Sequence, residues 1–356
     1  MINYTPYDFK IIAMYQQNES GEYESIDTVP TSGYKLNADN SYCEVDDTKD
    51  NNIQIEYRNG QINFLGMTQK GTKCYVYFDI SNSAADIIED LYEDNQDILV
   101  YDGTEDNNLR YIGENPANYV YFNCNDYSNP TSDTCELWRI IGVFNENTHG
   151  ISGQKLIKLI GSDISPAANV VWDTDDSNNW SSASLQERLN GDYLNRTGSH
   201  SSDGITDATR DMIETVTWKL GGLSSTSSNT ASAFYTAERG VTEWNGKIGL
   251  IYPSDLGFAT SGGSTGRDTC LSYNLRDWDN YSNCYNYDWL SEETWTITPM
   301  SSSTSTVFYV TSSGYLGSSR ADAYSGRAAC PSLYLSSDVT ITGGSGTESN
   351  PYTLAS

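Results

Sequence analysis

Apolar and polar residues alternate with a period of two through the first part of the chain. The alternation runs through Asp8–Tyr15, Ile53–Tyr57, Gln61–Leu65 and Cys74–Phe78, and each stretch predicts a β-strand. Asn59-Gly60 between the second and third stretches is a two-residue hairpin signal. The period then changes. From Ser81 to Asp94, Ala85, Ile88 and Leu91 share one helical face, with Ile87 beside it and acids elsewhere. The helix is expected to open a second domain.

A long polar loop follows before the next strong strand pattern, Leu137–Phe144. Lys155–Ile160 reads as its hairpin partner, with His149-Gly150 near the turn. Two helices are expected next. Ser184 and Glu187 form a capping-box pattern ahead of Leu185 and Leu189, and Thr206 or Asp207 caps a second helix that buries Met212, Ile213 and Val216. A Ser/Thr/Gly loop covers Gly221–Ser232, and Ile248–Tyr252 resumes the apolar pattern. Strands are predicted at Trp295–Thr298, Val307–Val310, Leu333–Leu335 and Val339–Ile341, a turn at Gly343–Gly346, and an extended end at Asn350–Leu354. The pattern predicts a small all-β, Ig-like spacer module over residues 1–80, followed by an α+β domain over 81–356. No chemistry is visible in the first module.

Composition narrows the function. The formal charge of -28, from 48 acidic against 20 basic residues, argues against nucleic acid and anionic membranes as partners and favours solubility. No run of 18 apolar residues is present, so any membrane attachment would come through an anchor outside this sequence. Six of seven cysteines fall into local pairs, Cys43 with Cys74, Cys124 with Cys135 and Cys270 with Cys284, which leaves Cys330. Disulfides in an oxidising, extracellular compartment are the expectation, with reduced buried thiols as the alternative.

The richest segment lies between Met300 and Leu335, where Ser, Thr, Gly and Tyr alternate with a few apolar residues. Tyr supplies stiff amphipathic contact area, and Ser and Gly supply adaptable hydrogen bonding, a mixture suited to recognition. Val307, Val310, Leu316, Leu333 and Leu335 are expected to face the core. Thr304, Thr306, Tyr309, Thr311, Tyr315, Ser319, Asp322 and Tyr324 are expected to face outward, with Ser318 and Arg320 as further ligand-binding candidates. The loop Asp268–Trp289 has similar composition; Tyr281 and Tyr285 are its candidates, and a Cys270–Cys284 bridge would rigidify it and lower the ordering cost of binding. The plainer alternative is an ordinary Ser/Tyr-rich hairpin beside a stapled loop.

Five motifs carry a family resemblance: Glu136–Gly142, Trp180–Gln186 with Leu189-Asn190, Ile248–Asp255, Trp295–Pro299 and Pro331–Leu335. In their order and spacing, residues 100 to 354 resemble a domain family of Gram-positive bacterial surface proteins, related in fold to C-type lectins and formylglycine-generating enzymes. The resemblance implies a C-type-lectin-like fold. The family's last motif usually reads Val-Arg-Pro-Val, where this chain has Ala329-Cys-Pro-Ser332. Some proteins of that fold are targets of diversity-generating retroelements, which substitute bases at template adenines. Asn codons then scatter to Ser, Thr, Tyr, Asp, Gly, Ala, Arg, Cys or Phe, and never to Lys, Glu, Gln, Met or Trp. Residues 301–330 contain none of those five, and Cys330 is itself reachable from such a codon.

The resemblance therefore implies a bacterial cell-surface adhesion protein displaying a hypervariable face, 301–330, towards a protein or glycan on another cell or phage. Two alternatives stand beside it: a carbohydrate-binding or carbohydrate-active domain of fixed specificity, and a structural surface or pilus subunit. Acids at Asp173–Asp176, and Asp277 with Asp279, invite Ca²⁺. However, the Asp-x-Asp-x-Asp-Gly loop and the Glu-Pro-Asn or Gln-Pro-Asp tripeptide are missing, so no cofactor is expected and these acids read as solvated loops. No Gly-x-Ser-x-Gly, His-Glu-x-x-His or phosphate-cradling loop occurs, and the only histidines are His149 and His200; no enzymatic activity is expected.

Overall fold

The computed structural model describes residues 9–18, 20–30, 34–58, 61–66, 71–80, 83–164, 170–224, 228–281, 283–285, 289–290, 293–323 and 327–355. The chain forms two compact units, residues 1–91 and 92–356. The helix from Ala84 to Asp90 thus groups with the first unit, which carries a helix beside its strands rather than being all-β.

In the first unit the strand Thr72–Ile80 organises the sheet. It runs parallel to Phe9–Gln17 and antiparallel to Tyr42–Val45 and Tyr34–Leu36. Its alternation is complete: Cys74, Val76 and Phe78 are fully buried, while Tyr75 and Tyr77 stay half-buried on the other face. Cys43 lies directly across from Cys74, close enough for the disulfide the sequence suggests. Gln54–Arg58 and Gln61–Leu65 pair with Arg58 opposite Gln61; Asn59 and Gly60 lie outside the described residues. The helix is capped by Ser83, whose hydroxyl accepts from the Asp86 amide, and it buries Ala84, Ala85 and Ile88.

The second unit is a mixed α+β structure. Its main sheet runs, in spatial order, Ile248–Gly249, Ser332–Tyr334, Leu156–Ile160, Glu136–Phe144, Leu109–Tyr111 and Leu99–Tyr101, with Tyr119–Phe122 also paired to Glu136–Phe144. Leu156–Ile160 is buried at every position, so both faces of the sheet are covered at its centre. The antiparallel hairpin of Leu156–Ile160 with Glu136–Phe144 is as expected. The long polar loop is not, because three strands occupy it. They are three or four residues long, too short to show alternation, and the polar residues at their ends, Asp102 and Asn108, are buried with Arg110, both Asn108 and Arg110 donating to the Asp102 carboxylate. The Cys124–Cys135 disulfide staples the strand Tyr119–Phe122 to the start of its partner.

Several helix expectations need correction. Ser184 is the first helical residue of Ser184–Arg188 rather than its cap, and its hydroxyl accepts from the Thr174 amide. Thr206 does cap a helix, by accepting from the Thr209 amide, but that helix is the single turn Asp207–Arg210. Met212, Ile213 and Val216 are buried as expected, yet Val216 opens the strand Val216–Lys219. Helices Ala231–Glu238, Pro253–Phe258 and Arg267–Ser272 have no counterpart in the sequence reading. The first begins behind Thr230, whose side chain accepts from the Ala233 amide, inside the stretch read as a loop.

Candidate functional site

The segment after Thr294 folds into a three-stranded antiparallel sheet, Thr294–Pro299, Thr306–Val310 and Leu316–Arg320. Val307, Val310, Leu316, Leu333 and Leu335 are buried, as their spacing predicts. The sheet is fixed from below. The Thr296 hydroxyl donates to the Phe308 carbonyl (2.8 Å), Trp295 Nε1 donates to the Val170 carbonyl (2.7 Å), and Phe308 meets the Phe234 ring edge-on at 5.0 Å.

Register divides the candidate residues. Thr306 lies opposite Arg320 and Phe308 opposite Ser318, whereas Tyr309 lies opposite Gly317 and Val307 opposite Ser319. Opposed residues share a face, so Thr306, Ser318 and Arg320 lie on one side of the ribbon and Tyr309 and Ser319 on the other. Tyr309 is half-buried in a stack. Its ring lies over Gly317, where a Cβ would come within 2.5 Å of Cζ, and the Arg327 guanidinium sits 3.6 Å from its centroid. Trp295 closes that stack edge-on.

Two candidates face inward, contrary to expectation. Thr311 is 8% exposed: its amide and hydroxyl both donate to the Tyr315 carbonyl, closing the turn in which Gly314 adopts φ +74°. Tyr285 is also 8% exposed because its ring packs on Gly314, where a Cβ would lie 2.2 Å from Cδ2. Tyr315 is half-buried and Thr304 exposed; Tyr324 lies outside the described residues.

The turn leading into the middle strand is held by a residue the sequence reading missed. Asn178 Nδ2 lies 2.8 Å from the Ser303 carbonyl, 3.0 Å from that of Thr306 and 3.3 Å from that of Met300, while its backbone amide donates to Thr304. Its loop is built by Asp173, buried, whose carboxylate accepts from the Ser177 and Ser184 amides. Asp176, from the same loop, pairs with Arg320, which also binds Asp322 at 3.1 Å. The Arg320 charge holds the Asp322 carboxyl below its ordinary range. Asp173 and Asp176 are thus structural partners rather than solvated acids. Among the described residues no three His, Cys, Asp or Glu side chains gather as a metal site.

The disulfide loop adjoins the same ribbon. Cys270–Cys284 ties the helix Arg267–Ser272 to the end of the 3₁₀ segment Leu275–Asn280, which packs beside Leu316–Arg320. Leu275 and Trp278 are buried, so Arg276 is turned to the surface edge, with Nη2 3.4 Å from the Ser318 hydroxyl. Tyr273 and Tyr281 stack at 3.9 Å, and Tyr281 is 38% exposed. The Arg276–Ser318 contact links the ribbon to the disulfide loop that carries the Tyr273–Tyr281 stack, and Ser318 lies on the opposite side of the ribbon from Tyr309.

Behind the ribbon lies a buried ionic network that the sequence scarcely announces. Arg110 Nε binds Asp102 (3.0 Å), Arg110 Nη1 and Lys158 Nζ each bind Asp255 (2.6 Å), and all four side chains are buried. Burial pushes the Asp255 carboxyl up, but Lys158 and Arg110 outweigh it and bring it to about 2. Burial pulls Lys158 down against Asp255, and its ammonium is ringed by Phe144, Trp218, Tyr252 and Tyr334 at 4.5–5.6 Å. The only local hint is a lysine in the middle of an apolar run, Leu156-Ile-Lys-Leu-Ile160. With every charge tied to another and excluded from solvent, the network can hold the sheet and its covering helices in register.

A cleft of about 80 Å³ opens elsewhere, lined by Arg139, Ile160, Ser162, Trp289, Thr294 and Cys330 among others. His149 is buried, with Nε2 on the Phe144 carbonyl and Nδ1 accepting from Ile151; His200 Nε2 accepts from Arg188. Both rings are committed to structural bonds. No protein-family model, curated protein or solved structure matches the chain.

Proposed function

We propose that the chain is an extracellular ligand-binding protein of bacterial surfaces, built on a C-type-lectin-like second unit whose contact face is the edge where Leu316–Arg320 meets the disulfide loop. The observation that carries this reading is the Arg276–Ser318 contact beside the Tyr273–Tyr281 stack. It ties together the two Tyr- and hydroxyl-rich segments of the chain, whose partly exposed Arg276, Ser318 and Tyr273 and exposed Tyr281 would form the contact face. Aromatic rings already stacked and hydroxyls already placed lose little freedom on binding. Three disulfides fit an oxidising compartment, and among the described residues no helix is long and apolar enough to cross a membrane. The partner on this reading is a protein or glycan on another cell or phage.

The composition of 301–330 supports a diversified face, in which exposed positions such as Thr304 and Arg320, and half-buried Ser318, vary over an invariant frame of Asn178, Thr296 and Val307. Sequencing the gene's neighbourhood tests this. The expected result is a near-identical repeat carrying Asn codons at the exposed positions, next to a reverse transcriptase gene. A locus with neither repeat nor reverse transcriptase returns the face to a fixed specificity.

A further inference from the structure

Helices Ala231–Glu238 and Pro253–Phe258 pack on each other, so closely that a Cβ on Gly257 would lie 2.5 Å from that of Ala231. Both back the strand Thr306–Val310, the first through Phe234 on Phe308. Their polar link is Glu238. It is fully buried and accepts from the Ser254 amide (3.1 Å) and from the Ser254 hydroxyl.

Glu238 is the buried carboxyl with the most distant cation. The cap of its own helix contributes Arg239, with Nη1 at 3.7 Å; the facing helix and its cap contribute Asp255 and Tyr252; the sheet contributes Lys158, and beyond it Arg110 and Asp102. Asp106 binds the far side of Arg239 at 3.1 Å. Four carboxyls (Asp102, Asp106, Glu238, Asp255) draw on Arg110, Lys158 and Arg239, and the charge of Arg267 reaches the cluster on its Asp102 side. Arg267, half-buried nearby, donates to the carbonyls of Phe258 and Thr260. The three aspartates each have a cation within 3.1 Å, whereas Glu238 shares its nearest with Asp106. A buried charge with only a distant, shared counter-ion is expensive, and a proton removes it. The Ser254 hydroxyl can exchange donor and acceptor roles with a protonated carboxyl, so the proton breaks no hydrogen bond.

We propose that Glu238 keeps a proton in the folded protein and that losing it loosens the two helices, so that Thr306–Val310 is firmly backed in mildly acidic solution and less so in mildly alkaline solution. Burial pushes Glu238 up to about 7 against the pull of Arg239 and Ser254, which puts the change in the neutral range. Once the helices part, Glu238 ionises at its ordinary value, so opening is favoured as pH rises. The opening constant grows about thirtyfold between about pH 5.5 and about pH 8.5. The device belongs to the scaffold and does not depend on what the face binds.

Hydrogen exchange of the Thr306–Val310 amides in the whole chain, corrected for intrinsic rates, tests it. The wild type is expected to show that thirtyfold loss of protection, and Glu238→Gln less than a threefold loss. A flat wild-type profile, or the same loss in the variant, overturns the proposal. If Glu238→Gln does not fold, the ¹³C carboxyl resonance of Glu238 in the wild type decides: titration near neutrality supports the proposal, and titration in the ordinary carboxylate range overturns it.

Discussion

The Arg327 guanidinium lies over the Tyr309 ring, 3.6 Å from its centroid, with Trp295 4.7 Å away as its second aromatic neighbour. A tyrosine at the heart of a recognition-like segment is therefore tied to the frame beneath it. Tyr309→Ala removes a ring that covers Gly317 and a cation–π contact, and is expected to cost about 2–3 kcal/mol of stability. Tyr281→Ala, at an exposed edge, is expected to cost less than about 1 kcal/mol and to weaken ligand capture. Urea unfolding of the two variants side by side checks this; equal small losses would put Tyr309 on display rather than in the frame.

Asn178 supports a different prediction, about local order. One amide group serves the carbonyls of Met300, Ser303 and Thr306, so Asn178→Ala leaves the turn without its side-chain donor. A loss of about 1–3 kcal/mol is expected, with faster exchange at amides 300–306 than elsewhere. Asn178→Asp, which keeps the shape but offers acceptors to acceptors, should be at least as damaging. A variant with unchanged exchange in that turn would show that the backbone alone sets it.

How much of this was readable beforehand follows from which interactions are local. The apolar positions 307, 310, 316, 333 and 335 are legible because burial along a strand leaves a pattern in neighbouring residues. Thr306 and Tyr309, grouped on one surface by composition, are three residues apart in one strand and must point to opposite sides. Thr311 and Tyr285 turn inward because of the positive φ at Gly314, which decides direction without changing hydropathy. Asp173 has the composition of a solvated acid, yet it caps amides as far away as Ser184. The network of Asp102, Arg110, Lys158, Glu238 and Asp255 is the extreme case. Its members come from five separate segments, and only the packing of two helices on the sheet brings them together.

Acid is expected to weaken the protein through His149. Burial holds its imidazole down to about 4, below the ordinary value of 6.5, and its Nδ1 is occupied as an acceptor. Between those values the unfolded chain binds the proton and the folded one does not. The contribution of His149 is therefore complete above about pH 6.5 and is lost as pH falls through that window towards 4, by up to about 3 kcal/mol. Glu238 acts in the opposite sense, because its folded value of about 7 lies above the ordinary one. Unfolding free energies of Glu238→Gln, which removes that opposing contribution, should rise from pH 4 to 6.5, and the rise should be lost when His149 is also replaced by Gln. A flat profile would mean that the ring is protonated in place.

Lys158 and Asp255 provide the sharpest test of the buried network. Lys158→Met fills the aromatic surround with an apolar chain but leaves Asp255 with Arg110 alone, which must also serve Asp102. Removing one partner of a buried pair typically costs about 3–5 kcal/mol, since the remaining charge stays desolvated. Asp255→Asn in the same chain withdraws that charge while keeping an acceptor for the Tyr252 amide. The double variant is therefore expected to be more stable than Lys158→Met alone. Thermal and urea unfolding of both single variants and the double complete the cycle. Strictly additive losses would mean that the two side chains do not sense each other, and that the sheet is held by its apolar contacts alone.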